Sequence, residues 1–340
     1  MKSDVIVGLQ HGDEGKGKVV LSTIKKGSYN VCLRFNGGPN AGHTVYHNDS
    51  KVILHQIPCG ILFNKLSIIG NGCVVDIQKL LREISILEDI GIDVKSFLKI
   101  SENAHVILEK HIEDDINNNP IGSTGSGIRP VNRDKYDRCG SRIKDLDDET
   151  KDKLLSKVDF INIIDFFHYS NNDLNILCEG AQGFDLDIDF GNYPYVTSSH
   201  CLTGFVNTSA VPIHSINEVI GVCKIYATYV GKMEFEDKNE NCFELLRVLG
   251  DEKGSTTGRD RQVNWLNITK LKEAVIINSV NKLIINKCDI IKKLGIFKLI
   301  KDNKIISFKK FVEMTKFIEE EFSNIKPVQS IIFSANKNDI

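Results

Sequence analysis

At 340 residues, with 41% hydrophobic and 26% charged side chains, the chain has the composition of a soluble globular protein with a sizeable core. A formal net charge of -2 excludes the bulk positive field expected of a nucleic-acid or membrane-surface binder, and no apolar run reaches the length of a membrane span. Nine cysteines, odd in number and without a C-x-x-C pair, read as reduced core thiols, and Met1-Lys2-Ser3-Asp4 runs into a strand with no secretory apolar segment, so a cytoplasmic protein is expected.

Short β-branched runs alternate with helix-period segments, the pattern of an α/β fold with a large, mostly parallel sheet flanked by helices. The first strand, Val5 to Val7, runs into His11-Gly12-Asp13-Glu14-Gly15-Lys16-Gly17-Lys18. The second, Val31 to Phe35, precedes Asn36-Gly37-Gly38-Pro39-Asn40-Ala41-Gly42-His43-Thr44. After a third strand, Leu66 to Ile69, Asp76 caps a helix with Ile77, Leu80, Leu81, Ile84 and Leu87 on one face and Gly91 as its stop. Polar stretches at 117–119, 145–153 and 236–241 read as surface loops or helix ends. Strands Asn175 to Cys178, Val219 to Ile225 and Leu283 to Asn286 follow, and Phe311, Met314, Ile318 and Phe322 mark a late helix before Lys326-Pro327. With no repeat, linker or composition break, residues 1–340 read as one unit.

The loop after the first strand nearly fits G-x-x-x-x-G-K-[ST], but Val19 replaces the metal-binding hydroxyl, and Asp13 and Glu14 would direct negative charge at phosphates. A loop that cradles phosphate and also keeps an acid is equipped for chemistry. In the second loop Gly42 offers a carbonyl to a cation, His43 a positive charge to a transferring phosphoryl group, and Thr44 a hydroxyl to phosphate. Asn286-Lys287-Cys288-Asp289 follows a strand; an Asp carboxylate there accepts both the N1 and N2 hydrogens of guanine, and the Lys stem covers the base. Gly254-Ser255-Thr256-Thr257-Gly258-Arg259-Asp260-Arg261 suits bidentate recognition of a carboxylate, or is a solvated turn with surface arginines. Ile121-Gly122-Ser123-Thr124-Gly125-Ser126-Gly127 is a phosphate loop or a plain linker. Gln182, in Glu179-Gly180-Ala181-Gln182-Gly183, can read a base edge, and Thr197, in Tyr193-Pro194-Tyr195-Val196-Thr197-Ser198-Ser199, can hold phosphate.

Taken in order, these segments resemble the adenylosuccinate synthetase family from Val5 to about Ile290. The resemblance implies a P-loop-like, GTP-binding ligase fold that joins L-aspartate to a purine nucleoside monophosphate, IMP, with GTP as co-substrate and Mg²⁺ as cofactor. It makes Asp13 the base on N1 and a Mg²⁺ ligand beside Gly42, with His43 and Gln182 as its catalytic partners. It puts Gly12, Glu14, Gly15, Lys16, Gly17, Asn40, Ala41, Thr44, Ser123, Thr124, Thr197 and Val230 on the nucleotides. Thr257, Arg259 and Arg261 fall to the aspartate carboxylates, and Lys287, Asp289 and Ser334 to the GTP end. Arg138 matches an arginine that crosses to a neighbouring subunit, implying a homodimer. No nucleic acid or membrane partner is expected.

The chain departs from the family pattern around the acceptor. His11 stands where the family usually has Trp, Leu21 where it has Asp, and Ser126 where bacterial members have Arg. Arg259-Asp260-Arg261-Gln262 replaces four arginines, and Lys232-Met233-Glu234-Phe235 replaces Ala-Gly-Pro-Phe. A viral branch of the family takes dGMP in place of IMP, and a viral protein would act in the host cytoplasm; members of that branch can lack the acid that Asp13 supplies here, so its retention favours IMP. A regulatory GTPase and an inactive nucleotide-binding homologue are the remaining alternatives.

Overall fold

The computed structural model describes residues 1–47, 50–169, 173–254 and 258–335. β1 (Lys2–Gly8) leads through a tight loop into α1 (Lys16–Lys26). β2 (Val31–Arg34) is followed by a hairpin of β3 (His43–His47) and β4 (Ser50–Leu54). β5 (Leu66–Ile69) and β6 (Val74–Val75) precede α2 (Ile77–Asp89) and α3 (Val94–Phe97). Next come β7 (Leu98–Ser101), β8 (His105–Val106), α4 (Glu109–Asn117), α5 (Ile128–Tyr136) and α6 (Asp148–Leu155). β9 (Asp159–Ile161) and β10 (Asn175–Glu179) are followed by β11 (Ile216–Lys224), β12 (Tyr226–Tyr229) and α7 (Phe243–Gly250). β13 (Gln262–Asn267), α8 (Ile268–Ile277), β14 (Lys282–Asn286) and α9 (Cys288–Leu294) follow. The hairpin β15 (Phe297–Lys301) and β16 (Lys304–Phe308), then α10 (Phe311–Phe322) and β17 (Ser330–Phe333), complete the described chain.

Nine strands form one sheet in the order β17-β14-β11-β1-β10-β2-β5-β7-β9, and every pairing in it is parallel. Both faces are covered, which is why the central strands are apolar throughout rather than alternating. Val5 and Val7 enter a core with α7, α8 and α10, whereas Ile6 enters the opposite one with α1 and α2. The sequence patterning did not reveal a second, mixed four-stranded sheet, β12-β13-β15-β16. The expected helix after Asp76 is present, with the Asp76 carboxylate accepting from the Lys79 backbone N–H at 3.0 Å and Gly91 at φ 85° beyond its end. The 145–153 stretch, expected as a surface loop or helix end, runs into α6 and forms most of it. All nine cysteines are free. No helix among the described residues is long and apolar enough to cross a membrane.

The strand order positions the site. The chain leaves β1 for β2, but β10 lies between them, so the connections after β1, β2 and β10 converge at the carboxyl ends of adjacent strands. Such a switch point leaves a crevice where open α/β sheets bind ligands. Asp76→Ala should remove the cap of α2 and lower stability by about 1 kcal/mol, read as a shift of the urea midpoint at unchanged slope.

Candidate active site

The loop after β1 is held by its own acid. The Glu14 carboxylate is buried and accepts from the backbone N–H groups of Gln10 (3.1 Å) and Gly12 (3.0 Å) and from Lys16 Nζ (2.6 Å). Lys16 Nζ also donates to the Gln182 carbonyl. Glu14 and Lys16 both line the cavity, as expected of nucleotide-binding residues, while the Glu14 carboxylate itself is turned inward and paired with the lysine. Gly183 is required by this packing, since a Cβ there would lie 2.5 Å from Glu14 Oε1. Asn286 donates to the Glu14 carbonyl (2.7 Å), and Lys18 Nζ donates to Asn286 (3.0 Å) and Ser334 Oγ (2.7 Å). Asn286 and Ser334 thus brace the loop and α1 from behind.

With Glu14 turned in, Asp13 turns out. It adopts a left-handed backbone (φ 58°) between Gly12 (φ 83°) and Gly15 (φ 88°), and its side chain is 26% exposed. Gln182, beside Gly12, is also left-handed (φ 55°), and both polar atoms of its side-chain amide are buried without a partner among the described residues. Non-glycine residues in this region carry strain that the surroundings must hold, and such residues gather at functional sites.

A second buried acid fixes His43, which the structure puts at the start of β3 rather than in a turn. Glu179, at the end of β10, is fully buried and accepts from Arg34 Nη1 (2.9 Å), the Cys59 backbone N–H (2.8 Å) and His43 Nδ1. Burial works to raise its pKa, but the charges of His43 and Arg34 override that and hold the carboxyl well below the ordinary range. Burial first, then Arg34, push the His43 pKa down to about 4. With Nδ1 committed to Glu179, Nε2 is the nitrogen left for the cavity that His43 lines.

On the other side, Arg261 Nη2 pairs with Asp13 Oδ2 at 2.7 Å, and its Nη1 pairs with Glu252. Glu252 also accepts from Lys224 Nζ (3.1 Å) and Tyr226 Oη (2.6 Å). Burial lowers the Lys224 pKa to about 8. His11 packs edge-on against Tyr229 (5.3 Å) and Phe235 (5.0 Å) and accepts from Asn192 Nδ2 at 2.9 Å.

These groups surround a cavity of about 440 Å³. Residues 12–17 form one wall and Asn40 to Thr44 the next, with Ala41, Gly42, His43 and Thr44 all lining it. Ser123 and Thr124 line it from the 119–127 loop, and Gln182, Thr197, Val230, Arg259 and Arg261 complete the expected set. Arg259 Nη2 donates to the carbonyls of Gly122 (3.1 Å) and Ser123 (3.2 Å), linking two loops across the mouth. Lys287, Asp289, Ser334 and Arg138 are not brought to this cavity. Lys287 holds the Gly250 carbonyl at 2.8 Å, Asp289 lies in the first turn of α9, and Arg138 lies beyond α5 at φ 63°. Thr257 lies outside the described residues.

Residues 5–166 and 158–332 match the sequence profile of adenylosuccinate synthetase. The chain belongs to the adenylosuccinate synthetase family. That makes it a member of a family of GTP-dependent ligases that form a C–N bond. Adenylosuccinate synthetase of Chlorobaculum tepidum is 39% identical over 84% of this chain and 76% of the relative. The Picrophilus torridus enzyme is 38% identical over 85% of this chain and 77% of the relative. Fully ligated adenylosuccinate synthetase from Plasmodium falciparum superposes with a TM-score of 0.83 at 28% identity, covering 98% of this chain and 97% of that one. Cyanophage S-2L succinoaminodeoxyadenylate synthetase, bound to dGMP and dATP, shares the fold with a TM-score of 0.75 at 22% identity, covering 99% of this chain and 94% of that one.

Sequence reasoning for this adenylosuccinate synthetase family member missed Glu179, Arg34, Glu252 and Lys224. A signal was present: Arg34 interrupts the apolar run Val31-Cys32-Leu33, and Lys224 ends Gly221-Val222-Cys223. A charge inside a buried strand demands a buried partner. The site also offers donors that would suit a divalent cation such as Mg²⁺. Asp13 exposes a carboxylate and Gly42 lines the same cavity, both hard oxygen donors of the type that ion prefers.

Unfolded His43 takes its proton near pH 6.5, whereas folded His43 refuses it until about 4. The depressed folded pKa makes this stability fully present above pH 6.5 and lost as pH falls toward 4, by about 1–3 kcal/mol. Urea midpoints across that window should fall for the wild type, with a shallower fall for His43→Gln.

Proposed function

We propose that this chain phosphorylates O6 of a 6-oxopurine nucleoside monophosphate, IMP, with GTP and then joins L-aspartate to C6. The observation that carries this reading is that Asp13 and His43 line one cavity, the loop of the first and the ring of the second each held by a different buried glutamate. A phosphate-binding site needs no outward acid; a site that removes a proton does.

Asp13 accepts the N1 proton, which makes O6 nucleophilic, and O6 attacks the γ-phosphorus as GDP leaves. Mg²⁺ held by Asp13 and the Gly42 carbonyl would neutralise phosphate charge. His43 faces the departing β-γ bridge through Nε2. An incoming polyphosphate favours its protonated form, and Glu179 at Nδ1 then becomes a full ion pair. The unpartnered amide of Gln182 is supplied to the purine edge, where it offers a donor and an acceptor. The aspartate amine then attacks C6, the C–O bond to the phosphoryl group breaks, and the amine proton is lost as phosphate leaves. Arg259 and Arg261 receive the aspartate carboxylates.

Asp289, one third exposed in the first turn of α9, is assigned to the guanine base, with the Lys287 stem above it. Arg138 does not line the cavity of its own chain, which supports a homodimer in which it reaches the partner's nucleotide phosphate. The alternative acceptor is dGMP. The segment that departs from the family pattern closes against the cavity rim, with the Lys232 N–H on the Ile121 carbonyl at 3.1 Å.

The test is a parallel assay of GTP, Mg²⁺ and aspartate with IMP or dGMP, the succino-nucleotide being identified by mass. Higher kcat/KM with IMP is the expected result; preference for dGMP would reassign the acceptor, and GTP hydrolysis without either product would overturn the ligase reading. Asp13→Asn should cut kcat by about 10²–10⁴ while the protein still binds GTP.

A further inference from the structure

We infer that Glu252 is a positioning residue that holds Arg261 ready for the substrate carboxylate, with buried Lys224 as its counter-charge. This rests on the ligase reading above and deepens it.

Arg261 divides its guanidinium between two acids, Nη2 on Asp13 and Nη1 on Glu252. Among the described residues its Nε is buried without a partner, so those two carboxylates are what orient it. Only one of them lines the cavity. Asp13 is 26% exposed and must turn to the purine and the metal, whereas the Glu252 side chain is fully buried and does not line the cavity. Once Asp13 is engaged, Glu252 is the remaining tether.

Glu252 is itself immobilised. Lys224 Nζ donates to it at 3.1 Å and Tyr226 Oη at 2.6 Å, and the Arg261 backbone N–H donates to the Glu252 carbonyl at 3.0 Å. Lys224 is anchored in turn on Thr228 Oγ1. The charges explain why a buried lysine is needed. One carboxylate faces two cations, so the trio Lys224-Glu252-Arg261 keeps one net positive charge. Without ligand Asp13 balances it; with Asp13 occupied, the carboxylate of an amino-acid substrate takes that place. A Glu252-Arg261 pair alone would be neutral and would attract no anion.

Glu252→Gln keeps the shape and removes the charge. KM for L-aspartate should rise about tenfold or more, with kcat changed less than about threefold and KM for GTP and the purine nucleotide held within about twofold. Glu252→Asp should recover part of the aspartate defect. A merely structural role would move all three KM values and kcat together. Because Glu252→Gln leaves two buried cations facing each other and can unfold the chain, the double variant Glu252→Gln/Lys224→Met, which removes both charges, is measured beside it. The aspartate defect must persist in that double variant. An unchanged aspartate KM in either folded variant overturns the role of Glu252 alone. A wild type that makes no succino-nucleotide overturns the ligase reading, and this role with it.

Discussion

The site depends on a carboxylate that never meets solvent. Glu179 joins the end of β10 to Arg34 on β2, to His43 at the head of the β3-β4 hairpin and to the Cys59 backbone. A lone buried carboxylate is prohibitively costly, and removing one member of a buried pair typically costs about 3–5 kcal/mol. Each partner is therefore obliged to stay. Among the described residues β3 pairs only with β4, so the hairpin that carries His43 and Thr44 is joined to the central sheet by this buried charge cluster and by the packing of Val45, Val52 and Leu54 rather than by strand pairing.

The same device recurs around the cavity, and it separates the acids by task. Glu14, Glu179 and Glu252 are buried and each engages cations or N–H groups: Lys16, Arg34 with His43, and Lys224 with Arg261. They shape loops and set the direction of neighbouring side chains. Asp13 alone of these acids reaches the cavity as a partly exposed carboxylate, and its left-handed backbone is held by Glu14 at the next position. A polar framework of this kind is held in place by its mutual hydrogen bonds, and buried groups without a partner among the described residues, such as the Gln182 amide, mark where a ligand completes it.

Much of this was legible in the chain. Hydrophobic runs located β1, β2, β5, β10, β11 and β14, the Asp76 cap and the Phe311 to Phe322 stripe located α2 and α10, and the glycine-rich segments located the loops. Local signals of this kind survive because strand and cap preferences act over a few residues. What could not be read were directions and distant partners. Asp13 and Glu14 are adjacent and chemically alike, yet one faces out and the other in, a difference set by the φ of each residue and by Lys16. Glu179 lies 145 residues from Arg34, and Arg261 lies far along the chain from Asp13, so only the folded sheet brings them together. The bracing of the first loop and α1 by the Asn286 and Ser334 side chains was likewise invisible in sequence.

In the proposed mechanism O6 of the purine becomes the phosphoryl acceptor before aspartate enters. The direct measurement is turnover of IMP labelled with ¹⁸O at O6, with the inorganic phosphate product analysed by mass. The label is expected in phosphate, because O6 leaves bonded to phosphorus. Unlabelled phosphate formed alongside adenylosuccinate would mean that GTP is hydrolysed separately and O6 leaves as water, which would contradict the roles given to Asp13 and His43.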